Sequence, residues 1–320
     1  MRRTLSRILR RLPGGALLAA AAQSRLIETD YPYHPTRRPI EAGLFGRRLD
    51  AALDAARDRF AATLCGFASH APALARIPRE AGSPEAPFWA NDWFPALDAV
   101  SLYGLIAARA PRRYIEVGSG NSTRFARRAI RDLGLATRIV SIDPAPRAEI
   151  DALCDETVRA PLEHVPAGFW AGLAPSDMLF VDNSHRSFPG SDVTVFFTEI
   201  LPGLPSGLLW GLHDICLPWD YPVEWGRRFY NEQYLLAAYL AGGGGGDAIV
   251  LPAMWAAYQP ELYGILEPLW SRTDLFTGVP THGCGFWMER GGGGGAGLSP
   301  LSGGEAQSKA INASVGGQMR

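Results

Sequence analysis

Lysine is almost missing from this 320-residue sequence, and its charges nearly cancel. Lys309 is the only lysine, and 31 basic residues are balanced by 32 acidic ones, for a formal net charge of -1. A chain without a basic excess lacks the positive field that holds nucleic acid over a whole surface. We therefore expect no nucleic-acid partner.

Cysteine is also scarce, and the few cysteines are far apart. There are four, and no two of them form a C-x-x-C pair: Cys65, Cys154, Cys216 and Cys284. This spacing indicates neither a zinc site nor a disulfide framework. A reducing compartment is the simpler expectation, and we predict a cytoplasmic protein.

No apolar run is long enough to span a bilayer. The longest candidate near the start, residues 16–22, follows several arginines and is much shorter than a membrane helix. That order also fits a signal peptide, although no cleavage site stands out. The sequence predicts three parts: a helical and loop extension over residues 1–97, a catalytic domain over 98–290, and a disordered Gly/Ser-rich tail over 291–320.

The most informative segment runs from Arg113 to Phe125. An apolar strand from Tyr114 to Val117 is followed by the turn Gly118-Ser-Gly120 and by a stretch with helical spacing. A strand, a glycine turn and a helix start form the first crossover of a nucleotide-binding α/β sheet. This order predicts a ligand beside the turn.

Two residues narrow the choice of ligand. Thr123 stands where a dinucleotide-binding G-x-G-x-x-G fingerprint has its third glycine, which disfavours NAD and FAD. Glu116 precedes the turn, and a carboxylate there would repel phosphate but suit a cationic ligand. The E-x-G-x-G arrangement resembles the first motif of class I S-adenosylmethionine-dependent methyltransferases, which implies that cofactor.

The rest of the chain continues the alternation of strands and helices. Strands are expected at 138–142, 156–159, 178–181, 207–212, 248–251 and 285–289, and helices at 49–67, 98–110, 192–201 and 234–240. Alternation of this kind predicts a doubly wound, mostly parallel α/β sheet. It resembles the Rossmann-like seven-stranded methyltransferase sheet, here with an N-terminal helical extension.

The resemblance assigns cofactor contacts to residues at the ends of strands. Asp143 follows the second strand, 25 residues after Gly118, and is expected to bind the ribose hydroxyls. Asp182 ends the fourth strand and is expected at the inner edge of the cofactor. The glycine turn implies a set of contacts to the methionine end: Glu116, Gly118, Gly120, Asn121 and Ser122.

Two histidines lie at the ends of the fourth and fifth strands, where a parallel sheet carries its ligands. His185 or His213 is a candidate base for a hydroxyl acceptor, and Asp214 or Asp182 would orient the imidazole. A divalent cation such as Mg²⁺, held by these aspartates and a histidine, is the alternative. Both remain open at this point.

Residues 180–185, 213–222 and 231–235 resemble a bacterial branch similar to O-methyltransferases of sugars and other natural products. The resemblance implies O-methylation of a small molecule or saccharide. Trp219, Tyr221, Trp225 and Tyr230 follow the fifth strand and form either an acceptor wall or a packed lid. The rival functions are a non-catalytic methyltransferase-like binding module and, less favoured, a NAD-dependent oxidoreductase.

Overall fold

A computed structural model describes residues 39–146 and 149–292, apart from the side chain of Arg227. The predicted extension up to residue 38, including the apolar run at 16–22, and the tail beyond Gly292 lie outside the described residues. Pro39 begins the compact unit that contains everything described here. The predicted division between residues 97 and 98 therefore stays a prediction.

Seven strands form one mixed sheet in the order β3-β2-β1-β4-β5-β7-β6. Strands β1 to β5 pair in parallel, and β7 runs antiparallel between β5 and β6, so six of these strands point in one direction. This order confirms the predicted doubly wound Rossmann-like α/β fold. The strands are β1 (Arg113–Val117), β2 (Arg138–Ile142), β3 (Glu156–Val158), β4 (Met178–Val181), β5 (Leu209–Leu212), β6 (Ala248–Pro252) and β7 (Phe286–Glu289).

Helices lie before, between and after the strands. In chain order they are α1 (Leu44–Ala55), α2 (Arg57–Ala68), α3 (Ala71–Leu74), α4 (Ala96–Arg109), α5 (Asn121–Leu133), α6 (Ala167–Ala171), α7 (Asp192–Val195), α8 (Leu201–Gly203), α9 (Glu232–Ala241), α10 (Ala253–Ala257), α11 (Pro260–Gly264), α12 (Glu267–Trp270) and α13 (Thr273–Phe276). A π-helical turn, Phe196–Ile200, joins α7 to α8. No helix among the described residues is long and apolar enough to cross a membrane.

The central strands are buried on both faces, which explains their continuous apolar sequences. Every residue of β4 and β5 is buried. Trp287 of β7 stacks on Phe180 of β4 with ring centroids 5.0 Å apart. Gly211 of β5 makes room for that indole, because a Cβ at this position would lie 2.4 Å from the Trp287 ring.

The helix predicted over residues 49–67 is wrong in one respect, because the chain forms two helices there. Ala56 leaves the helical conformation at φ -98° and ψ 6°, and its carbonyl accepts the first hydrogen bonds of α2. The apolar spacing crosses this break without interruption, since Leu53 and Phe60 are both fully buried. Spacing alone therefore could not locate the break.

Candidate active site

The glycine turn between β1 and α5 brings the backbone very close to the end of β4. Gly118 has φ +80°, and a Cβ there would lie 1.8 Å from the carbonyl oxygen of Asp182. Its amide donates to Ile142 of β2, 3.0 Å away. Only glycine combines this backbone conformation with so close an approach. The turn thus joins the ends of three neighbouring strands.

Glu116 lies under this turn, and its carboxylate is fully buried. Tyr114 donates a hydrogen bond to one carboxylate oxygen over 2.7 Å, and Thr123 donates to the other. Thr123 also accepts the amide N–H of Gly120 at 3.0 Å. Thr123, which stands in place of the third fingerprint glycine, therefore links the start of α5 to β1. Glu116 supports the turn from below through this threonine.

Burial raises the pKa of Glu116 to about 7, although the hydrogen bonds from Thr123 and Tyr114 oppose that rise. The folded pKa exceeds the unfolded value of 4.5, so the resulting stability is present below pH 4.5 and is lost as the pH rises through 7. A change of this size corresponds to about 3 kcal/mol. The glycine turn thus rests on a carboxyl group that titrates near neutrality.

We expect Glu116→Gln to remove this pH dependence, because the amide stays neutral. Between about pH 5 and about pH 8, the free energy of unfolding of the variant should gain about 3 kcal/mol relative to the wild type. Urea unfolding at several pH values measures the difference. Glu199→Gln replaces an exposed carboxylate on the π-helical turn. Its free energy of unfolding should differ from that of the wild type by the same amount at every pH. A constant difference for Glu116→Gln as well would contradict the assignment.

The remaining predicted cofactor residues surround the turn in different ways. Gly120 faces open space, since nothing lies within 4 Å of a Cβ built there. Asp143 is partly exposed and accepts the amides of Ser119 at 2.9 Å and Ala145 at 2.7 Å, one at each oxygen. Each oxygen therefore keeps a lone pair for a ligand hydroxyl. These features fit an adenosine-type cofactor beside the turn.

The side chains of Asn121 and Ser122 already have hydrogen-bond partners within the protein. The Asn121 amide donates to Asn91 at 3.2 Å and accepts from Arg124 at 2.7 Å. Ser122 is buried, and its hydroxyl interacts with the carboxylate of Glu116. Any contact of these two residues with a cofactor would therefore run through the main chain at the start of α5. Their predicted roles stay predictions.

The structure brings together all four predicted polar residues at the ends of β4 and β5. The Nε2 atom of His185 lies 3.2 Å from Asp182 and 3.4 Å from Asp214. The Nδ1 atom of His213 lies 3.6 Å from each of the same aspartates. We call these four residues the His–Asp cluster. His185 and Asp214 both have left-handed backbones, with φ +59° and +54°.

Two carboxylates that the sequence analysis did not assign complete the cluster from behind. Glu232, at the first residue of α9, is fully buried and lies 2.9 Å from Nδ1 of His185. Asp98 of α4 lies 3.1 Å from Nε2 of His213 and also accepts the amides of Cys284 and Gly285. Asp98 could have been identified from the sequence, because it is an acidic residue within an otherwise apolar helix. Glu232 gave no comparable sign.

These carboxylates keep both histidines charged. Burial lowers the pKa of His185, but hydrogen bonds to Asp182 and Glu232 outweigh it and raise the pKa well above its usual range. Burial likewise opposes the charge of His213, while Asp182 and Asp98 raise its pKa well above normal. Burial would raise the pKa of Asp182, yet the two imidazolium charges hold it below the usual range. The surrounding carboxylates therefore favour the charged form of both histidines.

Three of the four predicted wall aromatics gather beside this cluster. The ring of Tyr230 lies 4.7 Å from that of His185, and Tyr221 and Trp225 contact Tyr230. Trp219 instead packs against Tyr258, at 5.0 Å. Tyr221, Trp225 and Tyr230 thus form one aromatic cluster beside His185, which we call the aromatic wall. Its role in acceptor binding stays a prediction. Within the residues described, no group of three or more acidic, histidine or cysteine side chains has the geometry of a metal site.

Comparison with known proteins gives a match over the centre of the sheet. Residues 115–215, from β1 to just beyond β5, match a family model described as a methyltransferase domain. No curated protein matches the chain.

Solved structures resemble the chain only distantly. An SAH-bound methyltransferase of Podospora anserina has a TM-score of 0.37 at 13% identity, covering 72% of this chain and 88% of its own. The O-methyltransferase TomG of Streptomyces achromogenes, in complex with SAM, has 0.32 at 16%, covering 72% and 90%. The methyltransferase MycE, with Mg and SAH, has 0.28 at 16%, covering 59% and 48%. The family match therefore indicates a methyltransferase domain over residues 115–215 of this chain.

Proposed function

We propose that this protein transfers a methyl group from S-adenosylmethionine to a hydroxyl of a small molecule or saccharide. The observation that carries the proposal is the position of the His–Asp cluster. It lies at the ends of β4 and β5, directly beside the glycine turn, which passes within van der Waals distance of Asp182. A carboxylate-rich cluster next to a cofactor turn suits proton removal from an acceptor.

The chain's own groups hold the cofactor from three sides in this proposal. S-adenosylmethionine supplies an electrophilic methyl group on a sulfonium. Asp143 would bind the ribose hydroxyls through its two remaining lone pairs. The main chain at Gly118 and Gly120 would lie along the methionine end, where no Cβ intervenes. Asp182 would face the inner edge.

We assign the acceptor's proton to Asp214 rather than to a histidine. Both ring nitrogens of His185 face carboxylate oxygens, so the ring has no lone pair to offer an acceptor. The Asp214 side chain keeps 17% of its surface exposed, whereas that of His185 keeps 5%. The Asp214 carboxylate would thus receive the hydroxyl proton as the new C–O bond forms. His185 would position it.

The two histidines also take the place that a cation would occupy in this cluster. The imidazolium of His185 lies between Asp182 and Asp214, within 3.4 Å of an oxygen of each. It neutralises part of their charge, as a divalent ion otherwise would. We therefore propose turnover without added Mg²⁺. Methyl transfer that stops in EDTA and returns with Mg²⁺ would overturn this part.

Calorimetric titration with S-adenosylmethionine and, separately, with NAD tests the cofactor. We expect binding of the first and none of the second, since Thr123 occupies the place of the third fingerprint glycine. Asp143→Ala should weaken S-adenosylmethionine binding about ten- to a hundredfold, because it removes charge-assisted hydrogen bonds. Circular dichroism shows whether the variant stays folded.

Asp274→Ala is the matched control, because Asp274 is an exposed carboxylate on α13 that pairs with Arg272. Its affinity for S-adenosylmethionine should equal that of the wild type. Unchanged affinity in Asp143→Ala would contradict the ribose role. Failure of the folded wild type to bind S-adenosylmethionine would favour a non-catalytic module. Cytoplasmic location and the lack of a nucleic-acid partner stay predictions.

A further inference from the structure

The aromatic wall beside His185 carries two guanidinium groups on its rings. The Cζ atom of Arg228 lies 4.7 Å from the ring centre of Trp225 and 5.5 Å from that of Tyr230. The Cζ atom of Arg186 lies 5.2 Å from the ring centre of Tyr230. The two arginines belong to different loops, after β4 and after β5. Positive charge from both loops therefore meets at one aromatic ring.

In the part of the chain that the structure describes, many arginines pair with carboxylates, but Arg186 and Arg228 do not. Arg186 donates to the carbonyl oxygens of Arg228 at 2.7 Å and Ser184 at 3.2 Å, which leaves three of its five N–H groups. Across the described ranges, neither Arg186 nor Arg228 forms an ion pair with a carboxylate. By contrast, Arg113 and Arg127 each bind an aspartate. Positive charge and N–H donors of these arginines are therefore available at the aromatic wall to bind an anion.

The opposite end of the site is negative. Asp182 and Asp214 keep 31% and 17% of their side-chain surface exposed, and Glu232 and Asp98 lie behind the histidines. The carboxylates of Asp182 and Asp214 are the partly exposed groups here, so this end disfavours an anion. The ring of Tyr230 connects the two ends, since it lies 4.7 Å from the ring of His185 and 5.2 Å from the Cζ atom of Arg186. A molecule of about one ring is therefore long enough to reach from one end to the other.

We propose that the acceptor is a ring compound that carries an anionic group, a carboxylate or a phosphate, opposite the hydroxyl to be methylated. Its ring would stack on the wall, its anion would bind Arg186 and Arg228, and its hydroxyl would face Asp214. The charges at the two ends fix the direction in which the acceptor enters. This inference rests on the proposed methyl transfer and adds the substrate class.

The backbone at His185 and Asp214 holds in place the end of the site where the acceptor hydroxyl would react. His185 and Asp214 both hold left-handed conformations that L-residues seldom adopt, and such strain collects at sites where position matters. The main-chain oxygen of His185 accepts the amides of Asn231 and Glu232, which anchors the second loop to the first. The distance between the reacting end and the arginines is thereby set by the loops.

Matched acid and neutral probes test the proposal. We would titrate the full-length protein, saturated with S-adenosylhomocysteine, with 3-hydroxybenzoate, 3-hydroxyphenyl phosphate and glucuronate, and with the methyl ester of each carboxylate and resorcinol as neutral partners. Each acid that binds should do so at least tenfold more tightly than its neutral partner. The carboxylate and phosphate arms show which anion is preferred.

Substitutions locate the preference. Arg228→Gln, which changes an exposed side chain, and Arg186→Gln should each reduce acid binding at least fivefold and leave the neutral partners unchanged. Arg272→Gln removes an exposed arginine that pairs with Asp274 and should change nothing. Equal binding of acid and neutral partner, no binding of any acid, or a preference that survives the double variant would overturn the inference. Loss of S-adenosylmethionine binding would instead count against the proposed function.

Discussion

Replacing Gly118 by alanine is expected to destabilise the protein by about 2–6 kcal/mol and to abolish methyl transfer. Roughly 1–3 kcal/mol comes from forcing an L-residue to φ +80°. Roughly another 1–3 kcal/mol comes from overpacking, because the added Cβ would lie 1.8 Å from the carbonyl oxygen of Asp182. Relief of that clash displaces Asp182 and with it the His–Asp cluster. Thermal and urea unfolding measure the loss.

Two other glycines provide matched comparisons. Gly190 also has positive φ, +68°, but nothing lies within 4 Å of a Cβ there. Gly190→Ala should therefore show the backbone cost alone and keep its activity. A Cβ at Gly120 likewise meets no atom within 4 Å. If the cofactor fills that space, Gly120→Ala should cost more free energy of cofactor binding than free energy of unfolding. Similar stability losses in Gly118→Ala and Gly190→Ala would mean that the close approach to Asp182 is unimportant.

Asp214→Asn is expected to reduce kcat about 10²–10⁴-fold while the affinity for S-adenosylmethionine stays within twofold of the wild type. The amide keeps the shape of the side chain but cannot take up the acceptor's proton. Steady-state rates, with the cofactor affinity measured separately by calorimetry, give both numbers. Glu199→Gln removes an exposed carboxylate elsewhere and should leave kcat unchanged.

The pH profile separates this assignment from a histidine base. Because carboxylates raise the pKa of His185 and of His213 well above the usual range, neither ring should lose its proton near neutrality. The kcat profile should therefore show no rise that follows the loss of a histidine proton in this range. A rise centred near 6.5, the ordinary histidine value, would favour His185 or His213. Full activity of Asp214→Asn would exclude the carboxylate.

The strands were predictable because their sequences carry two signals together. In β4, an apolar run from Met178 to Val181 ends abruptly at Asp182, and β2 ends in the same way at Asp143. An apolar strand followed by a polar residue marks the ligand edge of a parallel sheet. This is why the His–Asp cluster could be assembled from the sequence before any distance was known.

The supporting carboxylates were not predictable in this way. Asp98 comes from a helix 115 residues before His213, and Glu232 comes from a helix 47 residues after His185. The local sequence of either helix does not indicate which buried histidine its carboxylate contacts. Glu116 shows the opposite difficulty: its place on β1 was clear, yet its two hydrogen-bond partners follow from side-chain directions that a pattern does not contain.

The place of β7 in the sheet bears on how the protein matures during synthesis. Asp98 is bonded to the amides of Cys284 and Gly285, and β5 gains its second neighbour only when residues 286–289 pair with it. On a ribosome, the glycine turn and its neighbouring strands would emerge long before that pairing is possible. Contacts so distant along the chain form slowly, after the local ones. A nascent chain would thus form the strands around the glycine turn first, and would complete the surroundings of Asp98 and β5 only after residues 284–289 have been made.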